Sequence, residues 1–342
     1  MPNNQAPYSF MMKAKPKPSK AFDTYWKFAV KRQEAFFSKL SNSVGPWTDD
    51  PIISEYKFTN CYRASDRVSQ YLIKNVIYSK RWSLKDTVFR TLLFKLFNKI
   101  ETWELLTSQV GEISTKTFDP SLYGKILDRA LASKASIYSA AYIIPSGPKK
   151  KYLGLRKHTF HLQLLQNLIK DNFHNGIAKA NSMEEAYSHL LAIESFGRFL
   201  AYQYVTDLNY SEHFHYGEDE FVVPGPGAQD GIRKCFSDLG GYSESDIIRM
   251  VFEEQEFHFD RLGYTFRSLW GRPLQLIDCQ NLFCEVDKYS RVAHPDIMGI
   301  SGRTRIKQKF KPNFNPLEVW YPPKWGLNDK IQSTPYLAAE TA

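Results

Sequence analysis

Residues 190–208 read LLAIESFGRFLAYQYVTDL. An amphipathic helix runs into a tight turn at Ser195-Phe196-Gly197, and a second helix leaves with Ala201 four residues after the glycine. Just upstream, 183–193 has helical spacing and opens on an S-x-x-E capping box made by Ser182 and Glu185. The same period recurs outward from this hairpin. Residues 21–40 carry Phe22, Trp26, Val30 and Phe37 on one stripe, and 85–106 carry Val88, Leu92, Leu96, Ile100 and Trp103. Residues 158–170 read alike, and Gly240-Gly241 is expected to close a helix before Ser243–Ser245 caps the next. No series of alternating strands appears. The spacing predicts an all-α fold.

The 342 residues suffice for one large or two modest domains. Hydrophobic residues make up 43% and charged ones 24%, the profile of a globular chain that needs no disulfide staples. No run approaches a membrane span, and the N-terminal charges follow the few apolar residues, so neither a membrane protein nor a secreted one is expected. The four cysteines, Cys61, Cys235, Cys279 and Cys284, form no CxxC pair; reduced thiols in a cytoplasmic protein are the expectation, with no metal or other cofactor. Three segments are expected: a basic flexible arm over 1–20, a helical body over 21–300 whose two lobes are divided by the basic loop 145–151, and an irregular basic extension over 301–342 carrying Arg303, Arg305, Lys307, Lys309 and Lys311.

Charge is the informative deviation. Lys plus Arg is 45 against 36 for Asp plus Glu, giving +9, and aromatics reach 15%. Cationic and ring-rich surfaces suit a polyanion with stackable groups, which is nucleic acid; the plainer alternative is a basic protein with an aromatic core. There is no GxxxxGK[ST], HExxH or HxE…PCxxC run, so a P-loop kinase, a zinc protease and a zinc deaminase are not expected.

The 190–208 string resembles the hairpin of helix-hairpin-helix DNA glycosylases, roughly L-x-x-[PI]-G-[VI]-G-x-x-x-A. Gly197 matches the second glycine and Ala201 the small residue, while Ser195 replaces the first glycine. Physically, the hairpin's Ser195, Phe196, Gly197 and Arg198 present free backbone N–H groups to one DNA phosphate; an ordinary glycine-capped turn is the alternative. In that superfamily a catalytic carboxylate follows the hairpin glycine by about 20–22 residues, which the resemblance places at Asp219. Phe199 stands where lyase members carry lysine. The resemblance thus implies a monofunctional glycosylase that leaves an abasic site.

A narrower resemblance rests on 46–67 (PWTDDPIISEYKFTNCYRASDR), 219–231 and 278–291. These stretches resemble the family of 5-hydroxymethyluracil DNA kinase helical domains and α-glutamyl/putrescinyl thymine pyrophosphorylases, some relatives of which are anti-phage glycosylases. It implies double-stranded DNA with modified bases, such as phage DNA, as the partner. Within it, Trp47–Pro51 reads as a helix entrance, and the helix that follows is expected to present Tyr56, Asn60, Arg63 and Arg67 on one face. Asn60, with Tyr56, Arg63 and Phe199, is the expected base pocket, and Arg67 a phosphate contact; burial of both arginines against Asp66 or Asp50 is the alternative. Gly225, Gly227 and Lys234 on one helix, and Lys288 and Arg291 on another, are further candidate contacts, with an Asp287–Arg291 pair as the plain reading. His213 and His215 share a loop and read as exposed. The resemblance points to hydrolysis of the N-glycosidic bond of a flipped, modified pyrimidine. Its alternatives are a transferase or pyrophosphorylase acting on 5-hydroxymethyluracil-derived bases in DNA, and a non-catalytic reader of modification.

Overall fold

The structure, a computed structural model, describes residues 13–140 and 154–333. The expected loop 145–151 and most of the expected N-terminal arm lie outside these residues. Helices follow in the order α1 Lys20–Ser41, α2 Pro51–Glu55, α3 Arg67–Tyr71, α4 Leu84–Phe97, α5 Ile100–Val110, α6 Pro120–Ala132, α7 Lys157–Lys170, α8 Phe173–Lys179, α9 Met183–Leu191 and α10 Arg198–Leu208. The rest are α11 Pro226–Cys235, α12 Glu244–Glu253, α13 Gln255–Arg261, α14 Leu276–Ala293 and α15 Asn328–Gln332. One short antiparallel pair, β1 Lys17–Pro18 with β2 Phe236–Asp238, ties the N-terminal segment to the body. The fold is all-α.

Local chemistry explains most boundaries. Ser19 caps α1, Ser83 caps α4 and Ser243 caps α12 through a full capping box with Asp246. At α9 the box is only half formed. Ser182 accepts from Glu185 N, but the Glu185 carboxylate reaches one residue further back, to Asn181 N. The stripe over 85–106 breaks into α4 and α5 because Asn98 turns left-handed at φ 47°, a conformation asparagine tolerates. Gly240-Gly241 ends β2, not a helix: both glycines have positive φ, and a Cβ on Gly240 would sit 1.8 Å from the Ala14 carbonyl oxygen.

The core forms around α1, α10 and α14. Phe22, Trp26 and Phe259 pack with His258, whose imidazole stacks on Trp26 at 4.9 Å. Helices α11 and α14 touch backbone to backbone, since a Cβ on Gly231 would fall 2.0 Å from the Phe283 carbonyl oxygen. Helix α10 is buried from Leu200 to Leu208. Among the described residues no helix is long and apolar enough to cross a membrane.

Candidate functional site

A cleft of about 800 Å³ opens between α1, the loop 44–48, the segment 53–70 and the chain from Phe310 to Glu318. That size is within the range of small-ligand sites. Its walls carry Phe36, Trp47, Tyr56, Phe58, Phe310 and Phe314, and its charges are Arg32, Lys39 and Arg67. The one carboxylate in the lining, Glu318, is 3.1 Å from Lys74. The cleft is therefore aromatic and cationic.

Its entrance follows from the sequence. Asp50 accepts from Ile52 N and Ile53 N, with Pro51 at the first helical position, so α2 starts where expected. It then stops at Glu55. Tyr56 to Asn60 run on as irregular chain, and Arg63–Ser65 form a single 3-10 turn. The four residues expected on one helix face therefore have separate fates. Tyr56, Asn60 and Arg67 line the cleft. Arg63 turns inward and is buried, because the turn points it at α10: it donates to Gln203 Oε1 (2.8 Å), Asp207 Oδ1 (2.7 Å) and the Tyr210 hydroxyl (2.8 Å). It holds the loop behind Asn60 and has no access to a phosphate.

Asn60 is clamped from three sides. Arg32 Nη2 donates to its Oδ1 at 2.6 Å, its Nδ2 donates to Ser65 O at 2.8 Å, and its N–H donates to Asp66 Oδ1 at 2.8 Å. Arg32 also donates through Nε to Thr59 O, and Thr59 N donates to Glu285 Oε2. Glu285 is in turn 2.6 Å from Lys288, which donates to Lys57 O, so Lys288 braces the segment from behind. The amide keeps one N–H and one acceptor lone pair free of these bonds. Opposite, Lys39 lies 4.6 Å over the Trp47 ring, and burial holds its ammonium below the ordinary lysine range.

Burial pushes the Asp66 carboxyl up to about 6, against the opposing effect of the Asn60 N–H. The folded chain then keeps a proton that the unfolded chain releases between about pH 4 and 6, so this group's contribution to stability falls as pH rises through that window. Thermal unfolding should show wild type losing ground to Asp66→Asn between pH 4 and 6 and running parallel to it above. Parallel curves throughout would reject the raised carboxyl.

The remaining expected residues lie elsewhere. In the hairpin, Ser195 takes φ 71°, in the left-handed region that favours glycine, Gly197 caps α10, Arg198 is exposed and Ala201 is fully buried. Asp219 is exposed and does not line the cleft; its carbonyl accepts from Arg249 Nη1 at 2.8 Å. Phe199, expected in the base pocket, does not line the cleft; its ring packs on Gly225, where a Cβ would stand 2.5 Å away. Gly227 abuts Cys284. Lys234, 2% exposed, pairs with Asp287 Oδ1 at 3.0 Å, and Arg291 pairs with the other oxygen of the same carboxylate, so both expected contacts are consumed inside the fold. His213 bonds the Trp82 carbonyl. Sequence reasoning missed Arg32, Lys39, Phe310 and Phe314. Arg32 and Lys39 are two helical turns apart on α1, a spacing that put them on one face.

Comparison with known proteins bears on this arrangement. The family described as "5-hmdU DNA kinase, helical domain" matches residues 19–299, most of the chain. The chain belongs to this family. A 5-hmdU DNA kinase of Bacillus phage SP10 is 27% identical over 291 residues, covering 78% of this chain and 44% of the relative. The chain thus spans less than half the length of the curated relative it matches. No solved structure matches. A relative that bears the name of a kinase, and so of a phosphoryl transferase, overturns the expected monofunctional glycosylase.

Proposed function

We propose that this chain is the base-capturing part of a transferase acting on the 5-substituent of a modified pyrimidine in DNA. Family membership supports the reaction class, since the relative is named for phosphorylating 5-hydroxymethyldeoxyuridine in DNA. The observation that carries the reading is the aromatic, cationic cleft with the clamped Asn60 amide at its wall. A nucleotide rotated out of the duplex stacks its base on Trp47 or Tyr56, and the free half of the Asn60 amide pairs with the base edge. Arg67 and the exposed Gly197-Arg198 end of the hairpin turn hold backbone phosphates. The 5-hydroxymethyl oxygen forms a new bond to the phosphoryl group of a nucleoside triphosphate donor as its proton leaves, the diphosphate departs, and the glycosidic bond stays intact. No GxxxxGK[ST] run occurs in the sequence, so a P-loop donor site is not among this chain's contributions.

The test is a duplex carrying one 5-hydroxymethyluracil beside 2-aminopurine. Tighter binding than to the thymine duplex, with a rise in 2-aminopurine emission as the neighbour unstacks, is expected. Nucleoside digests should show every glycosidic bond intact. Equal affinity with no emission change, or free base with alkali-labile sites, would overturn the proposal.

A further inference from the structure

The chain from Gln308 to Glu318 arches over the cleft. At one end it pairs with the segment after α2: Lys57 N donates to Gln308 O, Phe310 N donates to Glu55 O, and Lys309 pairs with Glu55. At the other, Trp320 N donates to Gln70 Oε1 and the Tyr321 hydroxyl bonds Ser65 Oγ at 2.7 Å. Upstream, Arg303 and Ser301 are latched to the buried Asp230 carboxylate. Between the anchors the backbone forms no helix or strand, and every residue from Pro312 to Glu318 lines the cleft.

The tip reads Pro312-Asn313-Phe314-Asn315-Pro316. Each proline restricts its own φ and holds the residue before it extended, Asn313 Oδ1 accepts from Asn315 N, and Lys39 holds Asn313 O. The tip is therefore set before any ligand arrives. It presents Phe314 60% exposed, with its ring 5.9 Å from Trp47. A large apolar ring fixed in that position lacks a cover that a flat occupant of the cleft would supply. The family match ends at residue 299, so Arg32, Trp47, Tyr56 and Asn60 belong to the matched body while the arch does not.

We infer that the arch 308–318, through Phe310 and Phe314, is the specificity element of the cleft and decides which 5-substituent is accepted. This rests on the base-capture reading above. The body walls hold the pyrimidine, and the arch bounds the space left over, which a bare pyrimidine fills only in part. The experiment measures, on the full chain, the ratio of affinities for 5-hydroxymethyluracil and thymine duplexes, in wild type, in Phe314→Ala and in a variant with Pro312–Pro316 replaced by a glycine-serine stretch of equal length. Each variant is checked by thermal unfolding. The ratio should drop about tenfold in Phe314→Ala and fall to about one in the replacement. If wild type discriminates and both variants keep its ratio, the arch is not the specificity element and base capture stands. If wild type itself shows no discrimination, base capture falls, and the inference with it.

Discussion

Asp207→Ala should lower stability by about 3–5 kcal/mol, seen as a fall in unfolding temperature of about 4–7 °C. Asp207 is fully buried on α10, with Oδ1 2.7 Å from Arg63 and Oδ2 3.1 Å from Lys95. Burial alone would raise its carboxyl; Arg63 and then Lys95 outweigh that and hold it below the ordinary carboxylate range. Removing the carboxylate leaves two buried cations facing each other without the charge that balances both, a larger penalty than the pairs are worth in net terms. The sign with pH follows. A depressed carboxyl contributes stability that is complete above its unfolded value near pH 4 and is lost as pH falls through the folded one. Wild type should therefore hold its advantage over the alanine variant at neutral pH and shed it in acid. Unfolding within about 2 °C of wild type at pH 7 would mean the triad is not a keystone of α10.

Arg32→Ala should weaken binding of the 5-hydroxymethyluracil duplex by about 10- to 100-fold, the range of one charge-assisted hydrogen bond lost at a closed site. Arg32 spans two acceptors at once, Thr59 O at 2.9 Å and Asn60 Oδ1 at 2.6 Å. Without it the amide keeps only its bond to Ser65 O and is held less firmly. Lysine, a single point charge, cannot reproduce the fork, so Arg32→Lys should recover only part of the loss. The salt dependence separates positioning from phosphate contact. If Arg32 acts through Asn60, the slope of log affinity against log salt is unchanged in Arg32→Ala. A slope shallower by about one would reassign Arg32 to a DNA phosphate.

The helices were readable because their signals are local. Serine caps, Pro51 after Asp50, and the apolar stripe of α1 each act within a few residues, and the structure places α1, α7, α9 and α10 close to the expected ranges. Reading failed where a conformation depended on something distant. The helix expected to continue through Tyr56 and Arg67 stops at Glu55 because the buried partners of Arg63 on α10 and the Glu285 carboxylate on α14 bond the chain in an irregular course. Asp219 matched a spacing, but spacing says nothing of which way a loop faces.

The amino-acid order alone therefore settled the all-α class, the main helical segments, the excess of cations and rings, and a family resemblance, since each resides in short-range pattern or in composition. Only the tertiary structure brought Arg32 from α1, Asn60 from an irregular turn and Phe314 from the far end of the chain to one cleft, and turned Arg63, Lys234 and Arg291 inward. That outcome depends on which buried charges find partners across the core, a long-range balance that no local window of residues contains.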